Sequence, residues 1–120
     1  MTMKSSTRQV DGVTIVDLSG RITLGEGSVV LRDQIRDLLS KGNKRILLNL
    51  GDVSYIDSSG LGELVSAYTT VRNKQGDVKL LNLTAKAKDL LQMTKLLTVF
   101  DVYDDEAKAV AALKSAKTSA

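Results

Sequence analysis

Three polar residues, Asp57, Ser58 and Ser59, stand together in the sequence YIDSSGLGELV and are followed by Gly60. An acid beside two hydroxyl groups could cap a helix, supply a nucleophile, or accept a group from another enzyme. Asp and Ser are both preferred at a helix N-cap, and glycine permits a tight turn. A cap needs only one such residue, so the other polar groups raise the question of a chemical role.

A catalytic nucleophile at this position would lack its usual partners. The chain of 120 residues contains no histidine and no cysteine, which excludes a Ser-His-Asp or Cys-His hydrolase. The sequence DSSG also lacks the first glycine of a Gly-x-Ser-x-Gly elbow. A zinc site would have to consist of carboxylates alone. We therefore predict no metal site, no cofactor and no enzymatic activity.

Other residues that could bind or transform a substrate are better explained by structure. The sequence GEGSVV (residues 25–30) begins like a dinucleotide-binding loop, but Val30 stands where the third glycine should be. We expect a flexible loop there, with Glu26 exposed and able to contribute to a docking surface. The acids at 104–106 suit the first turn of a helix, and we expect Asp52 in a turn.

The composition is typical of one globular domain, with 42% hydrophobic and 26% charged residues. The net charge of +3 comes from dispersed lysines and arginines, and only three tyrosines and one phenylalanine are present. Nucleic-acid binding would favour a dense basic stripe with aromatic residues, so we predict no nucleic-acid partner. No long apolar run or signal peptide is recognisable, and we expect a cytoplasmic protein without membrane association.

The hydrophobic pattern predicts a β-hairpin followed by alternating helices and strands. Asp11-Gly12 is a hairpin turn signal, and the second strand is expected to end at Gly20. The apolar runs ILLNL and VKLLNL suit buried strands, TVFDVY suits a last strand, and helical spacing recurs between them. The predicted fold class is α/β: a single domain with a mixed, mostly parallel sheet, an N-terminal hairpin and about four packed helices. Its core should span residues 9–113, with frayed ends.

This architecture places Ser58 after the carboxyl end of a strand and at the start of a helix, where open α/β sheets usually bind ligands. A helix N-terminus offers free backbone N–H groups and the positive end of the helix dipole. A phosphate on a serine would be accommodated there. The residues alone therefore favour a modified or docking serine over a catalytic one.

The sequence LLNLGDVSYIDSSGLGELV resembles the signature of the STAS domain family, and specifically that of bacterial anti-sigma factor antagonists. The similarity spans residues 9–113 and includes LSGRIT, ILLNL and the late LLQMTKLLTVFDVYDDEAKAV. It implies a partner-switching protein. In such families the unphosphorylated antagonist binds an anti-sigma factor that is also a GHKL-type serine kinase, and thereby frees the sigma factor. Phosphorylation ends this binding, and a PP2C-type serine phosphatase resets the antagonist.

The resemblance also implies which residues form the switch. Ser58 matches the family's phosphoacceptor, and Asp57, Ser59 and Gly60 match the rest of its motif. We expect Ser59 to cap the helix or shape the turn rather than to accept the phosphate.

Residues outside the motif bear on the partner. We predict that Arg21, Glu26 and Leu61 contribute to the partner interface. Many relatives have an acidic residue after the glycine of LSGRIT, where this chain has Arg21, so the identity of the partner stays open. The alternatives are a STAS regulatory or scaffold module for a partner outside sigma-factor control, and a nucleotide-binding module that uses the GEG sequence. We expect a monomer or a weak dimer.

Overall fold

The chain forms a five-stranded mixed sheet with helices on both faces, and the computed structural model describes residues 3–23 and 25–115. The strands are β1 (Lys4–Val10), β2 (Val13–Ile22), β3 (Arg45–Ile56), β4 (Asp77–Leu81) and β5 (Val102–Tyr103). The helices are α1 (Glu26–Ser40), α2 (Ser58–Asn73), α3 (Ala85–Met93) and α4 (Glu106–Ser115), and a 3₁₀ turn covers Leu96–Thr98. The predicted frayed end at 117–120 lies outside the described residues.

The strands lie in the sheet in their order along the chain, and only the first pair is antiparallel. Val10 is paired with Val13, so Asp11 and Gly12 form a two-residue turn, both with positive φ angles of 52° and 82°. The other neighbouring strands are parallel and are joined through α1, α2 and α3. The predicted α/β fold class, with its hairpin and mostly parallel sheet, is confirmed.

The core has two layers, one on each face of the sheet. The larger layer packs α1, α2 and α3 against one face, as expected when successive crossovers have the same hand. The smaller layer packs α4 against the opposite face. Strand β3 contributes to both, because Ile46 and Leu48 point into the larger layer and Leu47 into the smaller one. Among the described residues, no helix is long and apolar enough to cross a membrane.

Two strands are longer than the sequence predicted. β2 continues past Gly20 to Ile22, and β3 continues through a segment that was expected to be a connection. The prediction that Asp52 lies in a turn is wrong, because Asp52 is paired with Ser19 in the parallel ladder. Two register shifts in this ladder obscure the alternation of buried and exposed residues that normally marks a strand. Val53 is buried.

The GEG sequence is not the flexible loop that we predicted. Helix α1 begins at Glu26, and Gly27 is buried inside its first turn. A Cβ at Gly27 would lie 2.5 Å from the carbonyl oxygen of Arg21, so this glycine permits a close approach of helix and strand. The side chain of Glu26 lies outside the described part of the structure, and its place in a docking surface stays a prediction.

The C-terminal ends of α1 and α2 differ in the residue that adopts a left-handed conformation. Gly42 follows α1 with φ 84°, as expected for a helix stop. At the end of α2, however, the left-handed residue is Gln75, with φ 67°, and not Gly76. Gly76 instead leaves room for the carbonyl of Lys44. The last predicted strand is reduced to β5, since a 3₁₀ turn occupies Leu96–Thr98.

Arg8 joins β1, β2 and α4 through two carboxylates. Its Nε lies 2.7 Å from Asp17, and its Nη1 donates a hydrogen bond to Glu106 at 3.0 Å. Hydrogen bonding to Arg8 lowers the pKa of Asp17 and of Glu106 below their ordinary values of 3.8 and 4.5. These groups therefore stabilise the fold fully above those ordinary values, and the stabilisation is lost as pH falls through the lowered pKa values.

We predict that Arg8→Gln lowers the free energy of unfolding at pH 7 by about 1 kcal/mol or less, because all three side chains are partly exposed. The loss should shrink at pH 3, which lies below the ordinary pKa values of both carboxylates, because protonation of the unfolded chain then offsets part of the stabilisation. Urea unfolding at the two pH values measures this difference. Lys41→Gln, which removes the exposed pair with Asp37, is the control. A loss of stability that is equal at both pH values would contradict the prediction.

Candidate functional site

Ser58 is the first residue of α2, and a single residue, Asp57, separates it from the end of β3. Asp57 has extended backbone angles, and its Oδ1 accepts a hydrogen bond from the N–H of Gly60 at 2.7 Å. The helix cap is therefore Asp57. The prediction that Ser59 could cap the helix is wrong, because the cap must precede the first helical residue and Ser59 is the second.

The three residues that follow Asp57 in the motif differ in their exposure to solvent. Ser58 is exposed, Ser59 is half-buried and Gly60 is buried. The Ser58 hydroxyl thus lies at the positive end of the helix dipole, on the surface, where a second protein can reach it. The described residues contain no group of three or more acidic side chains that could hold a metal ion.

The position of α2 depends on a close contact with the end of β2. The N–H of Asp57 donates a hydrogen bond to the carbonyl of Ile22 at 3.2 Å. A Cβ at Gly60 would overlap that same carbonyl group. Gly27 of α1 lies against the preceding carbonyl, that of Arg21. The end of β2 is therefore enclosed by the first turns of two helices, each of which contributes a glycine.

Arg21 lies beside this junction, as the penultimate residue of β2. It is exposed, and its guanidinium carbon stands 5.1 Å from the centre of the Tyr55 ring. Arg21 and Tyr55 are direct neighbours in the parallel ladder between β2 and β3. Tyr55 is 46% exposed. We did not select Tyr55 from the sequence, because its pairing with Arg21 depends on the extension of both strands.

Leu61, the third residue predicted for the partner interface, lies in the core instead. Its side chain is only 6% exposed, and it packs with Leu64 and Ile22 in the larger layer. It therefore has almost no surface to offer to a partner. Of the three residues predicted for that interface, Arg21 is the one that the structure describes as exposed. Its role stays a prediction.

A groove of about 310 Å³ lies beside Tyr55, between the second half of β3 and α3. Its walls are mainly apolar and include Val53, Tyr55, Ala87, Leu90 and Met93. Met93 is 81% exposed, which is unusual for a large apolar side chain. The sequence prediction missed this groove, because the residues that line it come from two separate segments.

In a comparison with protein families, residues 4–109 of this chain match the STAS domain. The anti-sigma-B factor antagonist of Bacillus subtilis is 32% identical over 103 residues, which cover 85% of this chain and 92% of that protein. The anti-sigma F factor antagonist of Paenibacillus polymyxa is 28% identical over 103 residues, covering 86% and 88%.

The fold is also that of a solved structure. The structure of the Bacillus cell fate determinant SpoIIAA in the phosphorylated form has a TM-score of 0.70 at 20% identity. The match covers 90% of this chain and 97% of that one. At this level of identity the likeness shows the shared fold.

We predict that Gly60→Ala destabilises the protein by about 1–3 kcal/mol, because the added Cβ must displace the hydrogen-bonded carbonyl of Ile22. Gly62→Ala is the matched control, since nothing lies within 4 Å of a Cβ there. That change should be neutral or stabilise the helix by up to about 1 kcal/mol. Urea unfolding of both variants provides the measurement. Equal stabilities would show that the contact with Ile22 does not constrain α2.

Proposed function

The chain belongs to the STAS domain family, and we propose that it is an anti-sigma factor antagonist switched by phosphorylation of Ser58. In its unphosphorylated form it binds an anti-sigma factor of the GHKL kinase type and releases the sigma factor. Relatives named as anti-sigma factor antagonists support the general role. The observation that carries the proposal is the exposed hydroxyl of Ser58 on the first residue of a helix that Asp57 already caps.

The chemistry in this proposal belongs to the partner kinase. The Oγ of Ser58 attacks the γ-phosphorus of ATP and forms the new O–P bond, while the bond to the bridging oxygen breaks and ADP leaves. The hydroxyl proton passes to a base of the kinase. This chain supplies the hydroxyl and the backbone that presents it. The absence of histidine from the sequence agrees with a base provided by the other protein.

The added charge is sufficient to separate the two proteins without refolding the antagonist. Phosphorylation adds about −1.5 to −2 charges at pH 7. The N-terminus of α2 stabilises an anion by about 0.3–1 kcal/mol, so the free phosphorylated protein stays folded. At an interface, an unpaired buried charge costs several kcal/mol, and each 1.4 kcal/mol lowers the affinity about tenfold. We therefore expect a loss of affinity of about 100-fold or more.

The reverse step requires a second enzyme, for which we propose a PP2C-type serine phosphatase. This enzyme would also reach Ser58 on the surface of the protein, since the residue is exposed. The kinase step consumes ATP and the phosphatase step consumes water. We propose that both take place in the bacterial cytoplasm, and that the antagonist is a monomer or weak dimer there.

We predict that Ser58→Ala binds the cognate anti-sigma factor as tightly as the wild type, whereas Ser58→Glu binds about 100-fold more weakly. Calorimetric titration of the purified kinase with each variant measures the affinities. Ser40→Glu is the control, because it adds the same charge to an exposed residue at the far end of α1. Tight binding by Ser58→Glu, with Ser40→Glu also binding normally, would show that charge at Ser58 does not control the interaction.

A further inference from the structure

Two arginines make cation–π contacts with tyrosine rings, one near the start of α2 and one near its end. Arg21 lies 5.1 Å from the ring centre of Tyr55, near the start of the helix. Arg72 lies 6.0 Å from the ring centre of Tyr68, in the last turn. The two pairs differ in their other partners. Arg72 also faces the carboxylate of Asp77 at 3.9 Å, whereas Arg21 has no carboxylate within ion-pair distance among the described residues.

The backbone brings Arg21 close to Ser58. Ile22 and Asp57 are joined by the hydrogen bond between the Ile22 carbonyl and the Asp57 N–H. Arg21 precedes Ile22, and Ser58 follows Asp57, so each is one residue from this bond. Neighbouring strands lie about 4.8 Å apart, and Arg21 sits directly opposite Tyr55 across that spacing. The backbones of Arg21 and Ser58 therefore lie at the same end of the sheet, and both side chains are exposed.

We propose that Arg21 is the counter-ion of the phosphate on Ser58, and that phosphorylation moves its guanidinium from the Tyr55 ring to the phosphate. The inference rests on the proposed modification of Ser58. An exposed contact between a cation and an aromatic ring is weaker than charge-assisted, bidentate hydrogen bonding to a phosphate. The planar guanidinium fits phosphate oxygens in this way, whereas the ring holds it only by its face.

The Asp57 cap makes a phosphate on Ser58 less stable unless a cation is nearby. The carboxylate of Asp57 already accepts the N–H of Gly60, so the phosphate does not gain that donor. The same carboxylate repels a phosphate on the next residue. Arg21 offsets this repulsion, and its backbone carbonyl is packed against Gly27.

The movement also changes a second surface. When the guanidinium leaves, the ring face that it covered becomes exposed to solvent. Tyr55 lies at the edge of the groove that Leu90 and Met93 also line. Phosphorylation thus alters both the charge at Ser58 and the aromatic surface beside it. An antagonist with an acidic residue at position 21 would lack both effects.

The test uses the full chain with phosphoserine incorporated at position 58 during translation, so that no kinase is required. Titration by ³¹P NMR follows the second ionisation of the phosphate in the wild type, Arg21→Gln and Arg72→Gln. A neighbouring cation favours the dianion, so we expect the midpoint in the wild type to lie at least about half a pH unit below that in Arg21→Gln. Arg72→Gln should match the wild type, since it removes the pair at the far end of α2.

Aromatic NMR signals provide the second measurement. Phosphorylation should shift the Tyr55 ring signals toward their positions in unphosphorylated Arg21→Gln and leave the Tyr68 signals unchanged. Equal ³¹P midpoints in the wild type and Arg21→Gln, or Tyr55 signals that do not move, would overturn the proposal. Failure of a cognate kinase to modify Ser58 would instead refute the proposed function, and the NMR result would remain interpretable without it.

Discussion

The carbonyl of Ile22 is the point at which the sheet holds the start of α2. It accepts the N–H of Asp57 and leaves no space for a side chain at Gly60. Because β2 and β3 are paired up to Ile22 and Ile56, this contact lies at the end of the ladder rather than in a free loop. The ladder and the glycine together fix where the first turn of the helix lies, and so where Ser58 is presented.

In the proposed function, this arrangement lets a chain without histidine or cysteine be the substrate of another enzyme's chemistry. The cap uses the Asp57 carboxylate, and the Ser58 hydroxyl stays on the surface for another enzyme. A phosphate placed there acts on its surroundings through charge, since the helix dipole tolerates it and a packed interface does not. In our proposal, Arg21 balances part of that charge within the protein. No change of fold is needed at any of these steps.

The parts of the structure that depend on residues close together in the sequence could be predicted from it. The hairpin turn at 11–12 is present, because it depends on residues within three positions of one another. The strand pairing of Asp52 and the helical position of Glu26 could not be predicted, since both depend on contacts with β2. For the site, the sequence identified the polar cluster but assigned a possible cap to Ser59, where the backbone geometry selects Asp57.

The most direct test of the account is to locate the phosphate after incubation of the wild-type chain with its cognate anti-sigma kinase and ATP. Intact mass measures how many phosphates are added, and fragmentation assigns the residue. We predict a single phosphate, carried by Ser58. A phosphate on Ser59 or on another residue, or no modification by a kinase that binds the chain, would contradict it.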